Sequence, residues 1–468
     1  MSTIEVLGRR RFAPGDQDWF AGVSGDANPI HVDQLVARRA IAGSCVVHGT
    51  HLALWAIDRW LAAHPTAIER IRASFLRPVT VGEEVEVRAV TEPDGSVQLQ
   101  VAGARDVRAV VVLSAAPEPS PIDAADLPRP GPAGTARDLG FEAARGLDGE
   151  VPLSLDGPAL ATALPVASEQ LSPTTMAGML AISRIVGMEC PGLHSLLVGF
   201  DVRPADRSAR SLRWEVTRAS SPRAPITLRV SGSLDGTVTA FFRPPPREQP
   251  SYAVTAAMVD ATELVGQRAL VVGGSRGLGE LTAKVVAAGG GHVTITYARG
   301  SDDAERVARE IRAGGGDCDV RRFDVTAPAP LHDVGATHLY YFATPHIRGG
   351  GAFDPALLRE LLEHYVDGFR ATCEAARSGR PLRVLYPSTV FVAAPDSRFA
   401  EYAIAKLAGE ALCAWMSAHV SDLDIRVERL PRLATDQTAS LVGPAPMDAL
   451  PALLAAVRAL GNSSTAVA

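Results

Sequence analysis

The sequence predicts two fold classes in succession, an α+β region over the first half of the chain and an α/β doubly wound parallel sheet over the second. The first half contains two blocks in which one apolar helical stretch is followed by segments of alternating polar and β-branched residues. From Arg268 an apolar strand, a glycine turn and a helix begin an alternation of strands and helices that continues to about Leu430. These two patterns are typical of different layer architectures.

Composition limits the class of protein. The chain has 468 residues, of which 47% are hydrophobic and 21% charged, as expected for a globular protein with more than one core. A net charge of -6 argues against a nucleic-acid surface. The first residues lack the apolar region of a secretory signal, and no apolar run approaches the roughly 18 residues needed to cross a bilayer. We therefore expect a cytoplasmic protein with neither a nucleic-acid nor a membrane partner.

Two proline-rich stretches divide the chain, and both are typical of linkers. The predicted domains are residues 1–116, 136–246 and 263–460, with linkers at 117–135 and 247–262 and a tail at 461–468. The first two domains share a pattern, because an apolar helical stretch from His51 or Met176 is followed by a phenylalanine, then Arg-Pro, then strands. We expect each to wrap an antiparallel sheet around one helix, and two such units side by side to share a continuous sheet.

The first chemical motif reads Ser-Gly-Asp-Ala-Asn-Pro-Ile-His over residues 24–31, and Val-Val-His-Gly follows, ending at Gly49 where the apolar helix begins. These residues resemble the MaoC-like, (R)-specific enoyl-CoA hydratase family, which has a hotdog fold. The resemblance covers roughly the first 115 residues and implies that Asp26 and His31 are catalytic.

The residue types suit that chemistry. Adding or removing water next to a thioester requires a proton to be taken at one centre and delivered at another, which a carboxylate and an imidazole can do together. Asn28 would orient the loop or the water. The helix start at His48 and Gly49 would supply N–H donors to the thioester oxygen. The alternative is that the motif is a plain turn in a hotdog that only binds acyl groups.

The second block keeps the helix but not the motif, because the stretch before its helix offers neither an aspartate nor a histidine. This resembles double-hotdog proteins in which one half is catalytic and the other widens the acyl tunnel. We therefore predict no catalytic residue in 136–246 and a structural role for His194. The five cysteines lie far apart and form no ligand cluster, so we expect them to be small buried residues and predict no metal site.

The second motif is a glycine-rich turn between an apolar strand and a helix, where the backbone can approach a pyrophosphate. Downstream, Ser388 ends an apolar strand, and Tyr402 and Lys406 lie four residues apart on one helix face. Together these features resemble the short-chain dehydrogenase/reductase family, with its Rossmann-type fold, over residues 260 to 445 or so. The resemblance implies that Tyr402 donates a proton, that Ser388 holds the carbonyl oxygen, and that Lys406 lowers the pKa of the phenol and binds the nicotinamide ribose. The turn residues predicted to bind the cofactor are Gly273, Ser275, Arg276, Gly277, Leu278 and Gly279.

The predicted cofactor is NADP(H). The second strand of this region ends without the acidic residue that favours NAD, whereas Arg276 and Arg299 suit a 2′-phosphate. By resemblance, Asp324 and Val325 contact the adenine and Thr435 contacts the nicotinamide carboxamide.

Three departures from the family pattern oppose turnover. Phe342-Ala343-Thr344-Pro345 replaces Asn-Ala-Gly, the relay asparagine is replaced near Tyr365, and Pro431 is followed by Arg432 instead of glycine. The separation of 14 residues between Ser388 and Tyr402 is also one longer than expected.

The two halves together predict a 3-ketoacyl-thioester reductase and 3-hydroxyacyl-thioester dehydratase in fatty-acid-like or polyketide-like synthesis. The substrate would be carried on coenzyme A or on an acyl carrier protein, and the resemblance implies a homo-oligomer, a dimer or a tetramer. Two alternatives stay open. One is an accessory protein that binds acyl carriers and uses the reductase domain as a scaffold, and the other is hydration followed by oxidation in degradation.

Overall fold

The computed structural model describes residues 3–91, 97–115, 126–350, 352–394, 396–439 and 445–461. Residues 117–125 of the predicted linker 117–135 and all but Gly461 of the predicted tail lie outside these ranges. The described chain forms two compact units, one that ends at Pro245 and one that begins at Pro246. In the described part of the chain, no helix is both long and apolar enough to span a membrane.

The N-terminal unit is built on one antiparallel sheet of ten strands. The strands of its first half are β1 (Thr3–Arg11), β2 (Ile68–Phe75), β3 (Glu84–Thr91), β4 (Val97–Ala102) and β5 (Val107–Ala115). Those of its second half are β6 (Asp148–Pro152), β7 (Ser195–Pro204), β8 (Ser211–Arg218), β9 (Ile226–Gly232) and β10 (Leu234–Phe242). The order β1-β3-β4-β5-β2-β7-β10-β9-β8-β6 places each strand of one half at the mirrored position of its counterpart in the other. The repeat seen in the sequence is therefore a repeat of topology.

The two halves join through β2 and β7, which pair with Ala73 opposite Phe200 and Ser74 opposite Gly199. A side chain on Gly199 would overlap the carbonyl oxygen of Ala73, so glycine permits the close approach of the strands. Asp201 accepts hydrogen bonds from Arg70 at 2.6 and 2.8 Å and from Arg72 at 3.0 Å. One continuous hydrophobic core spans both halves.

Each half holds one central helix, α4 in the first and α7 in the second. The helices of this unit are α1 (Pro14–Ser24), α2 (Pro29–Val32), α3 (Gln34–Ala37), α4 (Gly49–Ala63), α5 (Gly157–Ala163), α6 (Pro165–Gln170) and α7 (Pro173–Arg184). Buried residues lie on all sides of α4 and α7, as expected for a helix enclosed by a sheet. A π-helical turn, Ile185–Glu189, extends α7.

The C-terminal unit contains a six-stranded parallel sheet in the order β13-β12-β11-β14-β15-β16, the arrangement of a doubly wound fold. Its strands are β11 (Arg268–Val272), β12 (His292–Tyr297), β13 (Asp317–Arg322), β14 (His338–Tyr341), β15 (Leu382–Thr389) and β16 (Leu423–Leu430). Its helices are α8 (Tyr252–Ala256), α9 (Gly277–Ala288), α10 (Ser301–Ala313), α11 (Pro355–Leu362), α12 (Phe369–Ala376), α13 (Ala400–His419) and α14 (Ala449–Gly461). The predicted alternation of strands and helices is confirmed.

The predicted linker 247–262 is instead an ordered part of this unit. It contains α8, whose first N–H group, that of Tyr252, donates to Glu310 at 2.7 Å. The buried Lys284 ammonium donates to the carbonyl oxygen of Pro250 at 3.0 Å and forms ion pairs with Glu280 and Glu310. The proline content of this stretch predicted a linker, because composition alone cannot show that the backbone of the stretch binds a buried charge network.

Candidate active sites

Asp26 lies in the loop between α1 and α2 and is 2% exposed. Gly25, which ends α1 in the left-handed conformation, turns the chain into this loop. One carboxylate oxygen of Asp26 accepts the N–H of Asn28 at 3.2 Å, and the other accepts the hydroxyl of Ser183 on α7 at 2.7 Å. The half without the motif therefore helps to hold the candidate catalytic carboxylate.

His31 lies on α2 and is half-buried, with its ring stacked on that of His48 at 3.7 Å between centroids. Its Nδ1 lies 2.7 Å from the carbonyl oxygen of Val46, so Nδ1 carries the proton and Nε2 is the available base. The side chains of Asp26 and His31 are thus brought together as predicted, since their ligand atoms lie within 4.8 Å of each other.

Burial raises the pKa of Asp26 and lowers the pKa of His31, while the attraction between the two groups opposes both shifts. Both shifts favour the uncharged forms, which brings the proton affinities of the carboxylate and the imidazole closer together. Such a pair titrates jointly and can pass a proton in either direction with a small free-energy difference.

The other residues predicted for this site, Asn28, His48 and Gly49, lie around the Asp26 loop and the start of α4. Asn28 donates its amide to the carbonyl oxygens of Gly187, Gly192 and Leu193, at 2.7, 3.1 and 3.3 Å, so it orients the loop and not a water molecule. The ring nitrogens of His48 lie 3.1 Å from Gln17 Oε1 and 3.0 Å from the carbonyl oxygen of Asp26. The half-buried Gly49 begins α4, and the N–H groups of such a first turn lack intrahelical acceptors, as the prediction of an oxyanion site requires.

Asp26, His31 and His48 also have the spacing of a metal site. The candidate ligand atoms of Asp26 and His48 are already engaged in hydrogen bonds, however, and only Nε2 of His31 is left. Both carboxylate oxygens accept hydrogen bonds, and Nε2 of His48 contacts the Asp26 backbone. We keep the prediction that no metal takes part.

Sequence reasoning missed two further residues of the second half. A side chain on Gly187, in the π-helical turn, would overlap the carboxylate of Asp26. Arg243, just after β10, is 5% exposed, and its charge lowers the pKa of His31. No local pattern marks either residue, because both lie more than 150 positions from the motif they serve.

In the C-terminal unit, the predicted glycine turn connects β11 to α9 with Arg276 at the N-cap. Gly273 has a φ of +78°, and a side chain there would approach the backbone of Phe342 to 2.9 Å. Gly277 has a φ of +60° and faces Thr435, which would lie 3.7 Å from an added Cβ. The turn therefore leaves its backbone and the N-terminus of α9 open to an anionic group, and a pyrophosphate fits here. Ser275 and Leu278 lie in the same turn as predicted.

The two arginines that were predicted to select the cofactor have different surroundings in the structure. The Arg276 guanidinium points toward Asp436, with Nη1 3.7 Å from the carboxylate, instead of toward the end of β12. Arg299 is exposed in the loop after β12, where its charge helps to lower the pKa of Asp324. Asp324 accepts hydrogen bonds from the N–H and hydroxyl of Thr326, and Val325 beside it is buried. Of the two arginines, Arg299 therefore stays the candidate for binding a 2′-phosphate.

The structure gives Ser388 a hydrogen-bond partner that its predicted role does not require. The Ser388 hydroxyl donates to Glu410 at 2.5 Å, and Glu410 in turn binds Arg429. The next residue, Thr389, has its hydroxyl beside the phenol of Tyr402 and acts to lower the pKa of that phenol. Consecutive residues of a strand point to opposite faces, so only one of the two hydroxyls can face Tyr402. The sequence carried one signal of this difference, the separation of 14 residues between Ser388 and Tyr402. Thr389 lies 13 residues before Tyr402, which is the separation expected for the family.

Lys406 also differs from its predicted role. Its ammonium group donates to the carbonyl oxygen of Pro387 at 2.6 Å and lies 3.8 Å from the ring centre of Tyr365. Burial lowers the pKa of Lys406 to about 7, and burial raises the pKa of Tyr402 to about 12 against the effect of Thr389. Burial therefore disfavours the charged form of Lys406 and the ionised form of Tyr402. Tyr365, near which the sequence lacks the relay asparagine, contacts Thr344 through its hydroxyl at 2.5 Å and packs edge-on against the ring of Tyr402.

Comparison with protein families finds two matches. Residues 5–112 match the MaoC like domain, and residues 267–338 match the short chain dehydrogenase family. The second match includes the glycine turn and ends before Tyr402. A curated relative, the 3-oxoacyl-[acyl-carrier-protein] reductase of Synechocystis sp., is 36% identical over 107 residues, which are 22% of this chain and 43% of the relative. The chain thus matches less than half the length of that relative.

Solved structures give weaker similarities. FolM alternative dihydrofolate reductase 1 from Brucella suis, in complex with NADP, is 20% identical over 36% of this chain and 74% of its own, with a TM-score of 0.33. A short chain dehydrogenase from Burkholderia cenocepacia, also in complex with NADP, is 25% identical over 37% of this chain and 78% of its own, with a TM-score of 0.33.

Proposed function

Because this chain joins a MaoC-like domain to a short-chain dehydrogenase domain, we propose that it is a bifunctional enzyme that reduces 3-ketoacyl thioesters and dehydrates the resulting 3-hydroxyacyl thioesters. The observation that carries the proposal is the presence, in one chain, of a buried Asp26–His31 pair and of a Tyr402–Lys406 pair beside Thr389. The product of the second site is the substrate of the first. The substrate is bound to coenzyme A or to an acyl carrier protein, and the relative named as an acyl-carrier-protein reductase supports the ketoreductase step.

In the dehydratase step, the C2–H and C3–O bonds break, a C2=C3 double bond forms, and the hydroxyl leaves as water. His31, with Nε2 available, and Asp26, with its raised pKa, are the groups that take and deliver the two protons. Negative charge collects on the thioester oxygen, where the first N–H groups of α4 at Gly49 can bind it. The mirrored strand order supports a double hotdog in which residues 136–246 form the second, non-catalytic half.

In the reductase step, bound NADPH would supply the hydride for reduction of the 3-keto group. Arg299 favours NADP(H) over NAD, and the turn from Gly273 to Gly279 accepts the pyrophosphate. Thr389 holds the ketone oxygen, and Tyr402 donates the proton to it. Lys406 has the helix position that holds the nicotinamide ribose in the family it resembles.

The test is NADPH consumption with acetoacetyl-CoA, followed by mass spectrometry of the product. Wild type should give the enoyl thioester, Tyr402→Phe should not consume NADPH, and Asp26→Asn should stop at the 3-hydroxyacyl thioester. If wild type binds NADPH but never consumes it with acetoacetyl groups on either coenzyme A or a carrier protein, the reductase proposal fails and the accessory-protein alternative takes its place. Activity only with NAD⁺ and enoyl thioesters would favour the degradative direction.

A further inference from the structure

Arg243 is a buried cation without an acidic partner. It follows β10 and is 5% exposed, and no ion pair to it exists among the residues that the structure describes. Its Nη2 donates to the carbonyl oxygen of Leu193 at 2.6 Å, whereas its Nε has no hydrogen-bond partner. Burial lowers the pKa of Arg243 to about 10, so the guanidinium stays charged at neutral pH.

Such a residue is unusual, because arginine is rarely buried unless it is paired. Burial removes the hydration of the charge, and a lone carbonyl contact returns only part of that free energy. The guanidinium fork suits two oxygens of one carboxylate or phosphate. An anionic ligand would therefore supply the charge-paired hydrogen bonds that no residue of the protein makes to Arg243 in the described part of the chain.

The position of Arg243 connects it to the candidate dehydratase site. The Leu193 carbonyl oxygen that it binds also accepts the amide of Asn28, at 3.3 Å, so the guanidinium and the Asp26 loop share one acceptor. The Arg243 charge reaches both His31 and His194 and lowers the pKa of each. The carboxylate of Asp26 is held by Ser183 and by the Asn28 N–H, and not by Arg243.

His194 is a neighbour of Arg243 that is partly exposed to solvent. The N–H of Arg243 donates to the His194 carbonyl oxygen at 2.8 Å. The Nδ1 of His194 is buried without a hydrogen-bond partner, while its Nε2 lies 3.5 Å from the largely exposed Asp138. The His194 side chain is 18% exposed, so the region around Arg243 borders solvent at His194. Arg243 Nε and His194 Nδ1 are thus two buried nitrogens without hydrogen-bond partners, and the Leu193 carbonyl group connects Arg243 to the loop that carries Asp26.

We propose that Arg243 and His194 bind a carboxylate on the acyl chain of the substrate, so that the preferred substrate of the dehydratase site is the thioester of a dicarboxylic acid. This inference rests on the proposed dehydratase function. A phosphate is the other anion that a guanidinium binds, but the phosphate of a pantetheine arm lies at the opposite end of the arm from the thioester. An anion bound by Arg243, next to the Asp26 loop, would therefore belong to the acyl group.

The experiment compares the hydration of glutaconyl-CoA, which ends in a carboxylate, with that of 2-pentenoyl-CoA, which has the same carbon skeleton and ends in a methyl group. Wild type should prefer glutaconyl-CoA by at least about tenfold in kcat/KM, and Arg243→Met should reduce that preference by about a hundredfold, as expected when a charge-assisted bond to substrate is lost. Arg243→Lys should keep part of the preference. Arg229→Met, which removes an exposed arginine of the neighbouring strand β9, should leave the preference unchanged.

Equal kcat/KM ratios in wild type and Arg243→Met, with both substrates hydrated, would overturn the inference and leave the dehydratase function standing. If neither thioester is hydrated, the dehydratase proposal fails. Calorimetry with glutarate and with inorganic phosphate then tests carboxylate binding at Arg243 independently of catalysis. Glutarate binding that is lost in Arg243→Met would support the site. No glutarate binding, or equally strong binding of phosphate, would refute it.

Discussion

Ser388 and Thr389 are neighbours on β15, and the alternation of side chains along a strand gives them different partners. Ser388 is bound to Glu410 on the side of Arg429, while Thr389 meets the phenol of Tyr402. A hydroxyl that already donates to a charged carboxylate is poorly placed to hold a ketone oxygen. The family pattern alone could not choose between two adjacent hydroxyl residues, because the choice depends on the register of the strand against α13.

Thr389→Val should lower kcat for ketone reduction by about 100-fold, as expected when one donor to a developing oxyanion is removed. Ser388→Ala, the matched loss of a hydroxyl, should keep kcat within about tenfold of wild type. Steady-state NADPH consumption with acetoacetyl-CoA measures both values. The reverse ranking of the two variants would restore Ser388 as the catalytic hydroxyl.

His51 lies fully buried on α4, and its ring stacks on Phe20 at 4.8 Å. Neither ring nitrogen has a hydrogen-bond partner among the described residues, and burial lowers the pKa of His51 to about 3. The unfolded chain therefore binds a proton near pH 6.5 that the folded chain refuses, so His51 costs stability as the pH falls below 6.5.

His51→Phe should be more stable than wild type, and the difference should grow by about 2 kcal/mol between pH 7.5 and pH 5, from a shift of about 1.5 pH units at 1.36 kcal/mol each. Urea unfolding at the two pH values measures it. The other buried histidines titrate in both proteins and cancel in the comparison. A difference that stays constant with pH would contradict a depressed pKa of His51.

At the scale of elements, α7 and its π-helical turn form the wall against which the Asp26 loop is fixed. Ser183 donates to the carboxylate, and Gly187 leaves the space that the carboxylate fills. π-Helical turns often occur at functional sites. The sequence predicted α7 correctly from its apolar residues. It could not predict the turn's role, because that role depends on a contact between distant parts of the chain.

Gly187→Ala should displace the Asp26 carboxylate and lower kcat for dehydration by at least about 100-fold, since misplacement by about 1 Å can have that effect. Gly15→Ala, in α1 where an added Cβ meets nothing within 4 Å, is the control and should leave kcat unchanged. Dehydration of 3-hydroxybutyryl-CoA is the assay, with NADPH consumption as a check that the C-terminal unit remains active. Normal dehydration by Gly187→Ala would show that the carboxylate position is not critical.

At the scale of the whole molecule, α13 presents apolar side chains to solvent at helical spacing. Ile404, Leu407 and Trp415 are 45%, 53% and 56% exposed, on the same helix that carries Tyr402 and Lys406. Several exposed apolar side chains on one helix are a common feature of association surfaces. The homo-oligomer predicted from resemblance would cover this face with the α13 helix of a second copy.

Trp415→Glu combined with Leu407→Glu should therefore shift the protein toward a monomer, because a charge buried between two apolar helices is unfavourable. Sedimentation at several protein concentrations measures the change in mass. Val265→Glu, at another exposed apolar position, is the control. An unchanged mass for the double variant would place the interface elsewhere.

The architecture was more predictable than the sites. The helix–strand pattern of each block and the glycine turn of the C-terminal unit lie in short continuous stretches, so their period and composition are visible directly. The continuous sheet was also predicted, from the repeat. The support of Asp26 by Ser183 and the exchange of Ser388 for Thr389 arise from packing between elements, which no local pattern encodes.

The pairing of β2 with β7 has a consequence for how this protein can change over evolutionary time. The second half is free to lose its own motif, since Asp26 and His31 belong to the first. It is not free to lose its backbone, because Gly187 and Gly199 must stay small where the first half presses against them. We therefore expect the half without the motif to accept substitutions widely, except at the residues that contact the Asp26 loop and at the few glycines where a single added methyl group would disturb the other half.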